Sequence, residues 1–223
     1  MRIAVYGGSF NPPHPAHVRA ARLAYAALAP DKLLVIPAAD PPHKALAAGS
    51  PTPEERFELT KLAFRDFPEA EISDMELRRG GESYTSDTVE ELAREYPGAE
   101  LWLVIGTDML TSFERWHEFR SILAGAALAV LPRNEGELPE IERCAARFEA
   151  LYGARVRIID AAPLPMSSSE MRDMLVARRG ADVLDGEVYA RIIRLRDYGA
   201  KPQLDWLRER AYAYLKPKRI PHV

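Results

Sequence analysis

Residues 1–17 read MRIAVYGGSFNPPHPAH, and this stretch decides the fold. The apolar run Ile3–Tyr6 predicts one buried strand. Gly7 and Gly8 then let the backbone turn sharply and leave no side chain in the way of a ligand. The prolines that follow favour a turn that begins a helix, because proline is tolerated in a helix's first turn. A strand, a glycine turn and a helix in this order direct backbone N–H groups and a helix N-terminus towards a phosphate.

His14 and His17 lie three residues apart, so they share one face at the start of the predicted helix. A solvated helix start and half of a zinc site are the alternatives. Zinc is disfavoured because no cysteine or carboxylate with ligand spacing lies nearby. The segment resembles the signature GG(T/S)F(D/N)PxHxGH of the nucleotidyltransferase superfamily. This chain departs from the signature at one position, where Ala16 replaces the usual glycine. The matching residues are Gly7, Gly8, Ser9, Phe10, Asn11, Pro12, His14 and His17.

The composition sets the class of protein. The chain has 223 residues, a formal net charge of −3 and 47% hydrophobic residues, which predicts one sizeable domain or one domain with an appendage. The slightly acidic balance argues against a nucleic acid or an anionic membrane as partner. No apolar run approaches the roughly 18 residues of a membrane helix, and the immediate strand pattern predicts no signal peptide. The single cysteine, Cys144, is interpreted as a core thiol in a cytoplasmic protein.

Apolar runs alternate with helical patterns along the chain. The predicted strands are Ile3–Tyr6, Lys32–Pro37, Ala70–Asp74, Leu101–Ile105, Ala127–Leu131 and Arg155–Ile159. The predicted helices are Pro15–Leu28, Pro53–Phe67, Ser86–Tyr96, Ile141–Leu151, Ser168–Ala177, Gly186–Leu195 and Leu204–Leu215. This alternation predicts an α/β fold, a Rossmann-like doubly wound parallel sheet with helices on both faces and additional C-terminal helices. Ligands of such sheets bind at the carboxyl ends of the strands, so loops 38–52 and 78–86 are predicted to be binding loops.

The segment PPHK, residues 41–44, directly follows the second predicted strand. An exposed proline turn with a solvated lysine would explain it. Alternatively, the prolines hold Lys44 over a phosphate as a point charge. The segment resembles the substrate-phosphate segment of the nicotinate mononucleotide branch of the superfamily.

Residues 81–88 read GESYTSDT. Ser86 or Asp87 is predicted to cap the following helix, and Asp87 with Glu90 fits a capping box. A helix N-terminus also attracts a carboxylate. The segment resembles the family pattern GxSYTxDT, which implies that the backbone around Thr85 holds the carboxylate of a nicotinate.

Residues 104–110 read VIGTDML at the end of a predicted strand. Gly106 permits close approach of a ligand, and Asp108 could accept hydrogen bonds from ribose hydroxyls or simply cap a helix. Trp116 and His117 follow. The resemblance to the family pattern GxDxLxxxxxW implies that Trp116 stacks on a pyridine ring, although a core tryptophan is the alternative; His117 stands where the family often has tyrosine.

Residues 166–172 read MSSSEMR. Ser167 and Glu170 fit a capping box, which would by itself explain the serines. Consecutive hydroxyls followed by Arg172 also make an anion pocket at a helix N-terminus. The segment resembles the superfamily motif (I)SSTxxR, with Met166 for isoleucine and Ser169 for threonine.

Together these segments resemble, in order across roughly residues 1–200, the bacterial nicotinate-nucleotide adenylyltransferase family. We therefore expect a nucleotidyltransferase domain over residues 1–200 and a C-terminal helical extension, 201–223, packed on the same domain; contact with a partner or a second copy of the chain is the alternative for that extension. The implied reaction joins ATP and nicotinate mononucleotide into deamido-NAD and pyrophosphate, in NAD biosynthesis. Mg²⁺ is expected to bridge the ATP phosphates.

The resemblance also implies a role for each matching residue. The expected catalytic residues are His14, His17, Lys44 and Arg172. The expected ATP-binding residues are Gly7, Gly8, Ser9, Phe10, Gly106, Asp108, Ser167, Ser168 and Ser169. The expected residues for the pyridine nucleotide are Asn11, Lys44, Tyr84, Thr85, Trp116 and His117.

Other functions remain as alternatives. The enzyme could prefer nicotinamide mononucleotide, or be a pantetheine-phosphate adenylyltransferase or a cytidylyltransferase, although the SYT and GTD…W segments argue against the last two. A class I aminoacyl-tRNA synthetase core shares a similar histidine motif, but this chain has no room for a tRNA-binding domain. A nucleotide-binding sensor without catalysis would not need His14, His17, Lys44 and Arg172 together.

Overall fold

Six parallel strands form the centre of the computed structural model, which describes residues 1–42, 46–162 and 166–201. Their order in the sheet is β3-β2-β1-β4-β5-β6. The bounds are β1 Arg2–Gly8, β2 Lys32–Pro37, β3 Ala70–Ile72, β4 Glu100–Gly106, β5 Ala126–Leu131 and β6 Val156–Ile158. The strand order reverses between β1 and β4, so the predicted Rossmann-like α/β fold is confirmed.

Helices connect the strands and continue after β6. Their bounds are α1 Pro15–Leu28, α2 Pro53–Phe64, α3 Met75–Arg79, α4 Thr85–Glu95, α5 Thr107–Ser112, α6 Phe119–Gly125, α7 Leu138–Tyr152, α8 Ser168–Val176 and α9 Gly186–Leu195. Short 3₁₀ turns cover Phe113–Arg115, Gly180–Asp182 and Asp197–Gly199. Within the described ranges, no helix is long and apolar enough to cross a membrane.

The predicted bounds of α1 and α9 agree with the structure, and three other helices are additions to the prediction. The sequence patterns do not predict α3, α5 or α6, because five to seven residues are too few for a helical period to show. Helix α2 ends at Phe64 rather than Phe67, since Pro68 disfavours helical backbone in the residue before it. The predicted helix Leu204–Leu215 and Lys44 lie outside the described residues.

The central strands are apolar along most of their length, and their alternate residues point to opposite sides of the sheet. Both faces of the sheet are therefore apolar. In β1, Ile3 and Val5 pack into one cluster with residues of α4, α6 and α7, whereas Ala4 packs into a second cluster with α1 and Phe64 of α2. A third cluster joins α8 and α9 to Leu59 of α2. The C-terminal helices are therefore attached to the same body that carries the sheet.

The Arg56 side chain of α2 is fully buried and connects the two loops at the carboxyl ends of β1 and β2. Its Nη1 donates to the carbonyls of Ser9, at 2.9 Å, and Ala38, at 2.6 Å, while Nη2 donates to the carbonyl of Ala39 at 2.7 Å. Burial lowers the pKa of this guanidinium, although Tyr198 and nearby carboxylates counteract the shift. A buried cation is tolerated here because the loop carbonyls accept its hydrogen bonds.

We expect Arg56→Ala to lower the free energy of unfolding by about 3 kcal/mol, because three buried or part-buried carbonyls would lose a charged donor. Urea denaturation measures the change. The control is Arg65→Ala at the C-cap of the same helix, which removes a partly exposed ion pair with Asp185 and should change the unfolding free energy by less than about 1 kcal/mol. Equal losses in the two variants would contradict the role given to Arg56.

Candidate active site

A cavity of about 910 Å³ opens at the carboxyl ends of β1, β4 and β5. The loops after these strands, the start of α4 and the start of α8 form its walls. Segments that are distant in the sequence meet here, because the carboxyl ends of parallel strands lie at the same edge of the sheet. The predicted site residues that line the cavity are Gly7, Gly8, Ser9, His14, His17, Tyr84, Thr85, Gly106, Asp108, Trp116, His117, Ser167, Ser168 and Ser169.

Phe10, Asn11 and Arg172 are predicted site residues that lie outside the cavity lining. Phe10 is buried and packs edge-on against the His17 ring, with 5.0 Å between centroids. Asn11 is also buried, and its Nδ2 donates to Ser50 Oγ at 2.7 Å. Arg172 Nη1 donates to the Asn11 carbonyl at 2.7 Å, and Nη2 donates to Ser169 Oγ at 2.9 Å. These three residues therefore stabilise the loop between β1 and α1 and do not line the cavity.

The two histidines of the first loop lie against each other at the start of α1. Their rings are stacked with 3.7 Å between centroids, and the backbone N–H of His14 donates to His17 Nδ1 at 3.2 Å. His14 is only 3% exposed, and neither of its ring nitrogens has a hydrogen-bond partner among the described residues. The His14 ring therefore faces the cavity with its hydrogen-bonding capacity unused.

Burial lowers the pKa of His14 to about 4, and the positive charge of Arg133 acts in the same direction. The imidazole is thus neutral at pH 7. A neutral imidazole still donates one N–H, so His14 can contact a phosphate oxygen without carrying a charge.

Arg133 and Arg19 also line the cavity, and the sequence motifs include neither of them. Arg133 Nη1 contacts Asp108 Oδ2 at 2.7 Å, so the predicted ribose-binding carboxylate is paired with a cation. A Cβ at Gly106 would lie 3.0 Å from the Arg133 side chain, which explains the need for glycine there. The sequence could have indicated Arg133 as a site residue, because it lies two positions after the end of a predicted strand. For Arg19 the sequence held no indication beyond its position on α1.

Aromatic side chains from two loops also line the cavity. The Tyr84 and His117 rings lie 4.3 Å apart, although they come from different loops. Trp116 stacks on Phe113 at 4.7 Å and packs against the core while lining the cavity. Trp116 therefore belongs to the core and also reaches the cavity, and its stacking on a pyridine ring stays a prediction.

The predicted cap of α4 is wrong. The helix begins at Thr85 with Tyr84 as N-cap, so Ser86 and Asp87 lie inside the first turn and Asp87 cannot form a capping box with Glu90. The earlier start places Tyr84 and Thr85 at the cavity. The first N–H groups of this helix have no partner within the helix, and they therefore lie at the cavity.

The capping box of α8 is confirmed. Ser167 Oγ accepts from the Glu170 N–H at 3.2 Å, and the Glu170 carboxylate accepts from the Ser167 N–H at 2.9 Å. Ser168 Oγ donates to the Pro12 carbonyl at 3.3 Å, which joins α8 to the first loop. The start of α8 thus lies beside the histidines.

We expect an NMR titration of His14 to have its midpoint near pH 4. Because the folded pKa is below the ordinary 6.5, the unfolded chain binds a proton at His14 more readily than the folded protein does. The free energy of unfolding is therefore highest above pH 6.5 and decreases as the pH falls towards 4. Over this range the wild type should lose about 3 kcal/mol more unfolding free energy than His14→Gln. Parallel pH profiles of the two proteins would contradict this environment for His14.

Comparisons with known proteins agree with this geometry. The cytidylyltransferase-like family model matches residues 5–174. A protein from Pelobacter propionicus named "Probable nicotinate-nucleotide adenylyltransferase" is 34% identical over 217 residues, covering 91% of this chain and 100% of that protein. One of the same name from Geobacter metallireducens is 43% identical over 133 residues, covering 60% of this chain and 61% of that protein.

A solved structure has the same fold. It is the Plasmodium falciparum nicotinic acid mononucleotide adenylyltransferase complexed with NaAD, with a TM-score of 0.74 and 18% identity, covering 89% of this chain and 97% of that one. Together with the curated relatives, it confirms the resemblance inferred from the sequence segments. The family model covers most of the chain and one relative matches it along its own whole length, so the chain belongs to the nicotinate-nucleotide adenylyltransferase family.

Proposed function

We propose that this chain transfers the adenylyl group of ATP to nicotinate mononucleotide by in-line displacement, giving deamido-NAD and pyrophosphate. One observation carries the proposal: a single cavity is lined both by His14, His17 and the start of α8 and by aromatic rings at the start of α4. The first group suits the phosphates of a nucleoside triphosphate, and the second suits a pyridine nucleotide. The name of the Plasmodium falciparum relative, complexed with NaAD, supports the same pair of substrates.

The chemistry needs no general base. The attacking group is a phosphate monoester with a second pKa of about 6, so it is already anionic at pH 7. The barrier lies in bringing two anions into line and in stabilising charge on the leaving pyrophosphate. The neutral state of His14 supports this mechanism, because the residue has only to donate a hydrogen bond.

The phosphate side of the cavity would hold ATP. His14 and His17 would donate to its phosphates, and the start of α8, with Ser167–Ser169, would bind the β- and γ-phosphates. Arg172 would add positive charge from its place beside Ser169. Lys44, outside the described residues, is proposed to hold the phosphate of the second substrate.

The aromatic side would hold the pyridine nucleotide. The N-terminus of α4 at Thr85 would bind the nicotinate carboxylate, because a helix N-terminus favours an anion. Tyr84, Trp116 and His117 would enclose the ring. An amide group carries no charge, so this arrangement favours the acid over the amide.

We propose that Mg²⁺ arrives with ATP. Among the described residues no group of three His, Cys, Asp or Glu side chains is placed to hold a metal ion. In proteins Mg²⁺ is usually bound mainly by substrate phosphates and water. When bound, the ion would neutralise charge on the phosphates.

We also propose that the protein works in the cytoplasm on these small molecules, with no nucleic acid partner.

We expect His17→Ala to lower kcat roughly 10²-fold, because one preorganised donor to the transition-state charge is removed. Steady-state pyrophosphate release measures it, with circular dichroism to verify folding. His17→Asn, which keeps an N–H donor, should retain more activity. A folded His17→Ala protein with the kcat of wild type would refute the assignment.

Pyrophosphate release with ATP and Mg²⁺ should be much faster with nicotinate mononucleotide than with nicotinamide mononucleotide at equal concentration. The charged carboxylate is the only recognition element that differs between the two. Equal rates would remove the role of Thr85 in selecting the acid. No release with either would refute the proposed reaction, and pantetheine phosphate would be the next substrate to try.

A further inference from the structure

Glu76 of α3 is a buried carboxyl at the cavity wall to which the mechanism assigns no task. It is 7% exposed, and it lines the cavity beside Ser83 and Thr88. Burial raises its pKa, while hydrogen bonds from Thr88 and Ser83 oppose the shift. A buried carboxylate is a costly way to fill space, so its contacts should explain its presence.

Glu76 determines the direction of two hydroxyl protons. Thr88 Oγ1 donates to Glu76 Oε1 at 2.7 Å and accepts from Arg79 Nη2 at 3.0 Å. Ser83 Oγ accepts two backbone N–H groups, from Ala39 at 2.9 Å and Asp40 at 3.2 Å, so both of its lone pairs are used. The Ser83 hydroxyl therefore has only its proton left to donate. We infer that the acceptor is the Glu76 carboxyl, which lines the cavity beside Ser83 and whose pKa a hydrogen bond from Ser83 lowers.

These bonds join the two loops that carry the proposed pyridine-nucleotide residues. Ser83 precedes Tyr84 and Thr85, while Ala39 and Asp40 precede the PPHK segment. The Ser83 N–H also donates to the Asp40 carbonyl at 2.8 Å. Glu76 thus links the loop after β2 to the start of α4 through a continuous chain of hydrogen bonds.

We propose that Glu76 is a positioning residue that joins the loop after β2 to the start of α4 and thereby sets the site's affinity and acid selectivity for the pyridine nucleotide. This inference rests on the proposed function. Glu76 does not contact the ATP side of the cavity, so its effect should be confined to one substrate. An amide at this position has a single acceptor oxygen, and Ser83 Oγ has no lone pair left to accept from the amide nitrogen.

The test compares Glu76→Gln with Glu91→Gln. Glu91 binds Arg79 Nη1 at 2.9 Å on the outer side, so both variants remove one negative charge near Arg79, but only the first changes the bonds of Ser83 and Thr88. We expect Glu76→Gln to raise KM for nicotinate mononucleotide about tenfold, to leave KM for ATP within about twofold, and to reduce the preference for the acid over the amide. Glu91→Gln should resemble wild type.

Hydrogen exchange of the backbone amides of Ala39 and Asp40 provides a readout that needs no substrate. These amides should exchange about tenfold faster in Glu76→Gln and at the wild-type rate in Glu91→Gln. Unchanged exchange in Glu76→Gln, equal rises in both KM values, or equal effects of the two variants would overturn the inference. A wild-type protein inactive with nicotinate mononucleotide would overturn the proposed function, whereas the exchange measurement would still decide whether Glu76 joins the loops.

Discussion

The guanidinium of Arg56 is the interaction on which the arrangement of the site depends. It lies under the loops that follow β1 and β2 and binds backbone carbonyls from both. Parallel strands only bring these loops to the same edge of the sheet; they do not determine the distance between the loops. A planar cation with several donors can hold two backbone segments at once, which a lysine could not do in the same geometry.

A buried carboxyl acts on the same segment from the other side. Arg56 donates to the Ala39 carbonyl, and the Ala39 N–H donates to Ser83 Oγ, whose proton we infer is donated to Glu76. The peptide groups before PPHK are thus held between a guanidinium and a carboxyl. A buried charge is expensive unless its hydrogen bonds are satisfied. Loop carbonyls accept from both Nη atoms of Arg56, whereas its Nε has no partner among the described residues. Thr88 Oγ1 donates to Glu76.

The cavity combines two kinds of lining. One part has the neutral His14, the start of α8 and arginines, whereas Tyr84, Trp116 and His117 lie near the start of α4. In the proposed reaction, N–H donors fixed in a preorganised site would stabilise the charge that develops on the phosphates. The two substrates would meet at the strand-order reversal, where ligands of such sheets bind.

The sequence by itself determined the strand–helix alternation, the bounds of α1 and α9, the capping box of α8 and the segments that form the cavity. These depend on local periods, glycine, proline and caps, which act over a few residues. Only the tertiary structure decided that α4 begins at Thr85 and that Arg172 binds the Asn11 carbonyl. It also decided that Arg56 and Glu76 are buried and contact other segments of the chain. Those contacts pair side chains with backbone groups far away in the chain, and no local pattern records which distant carbonyl or hydroxyl will satisfy a buried charge.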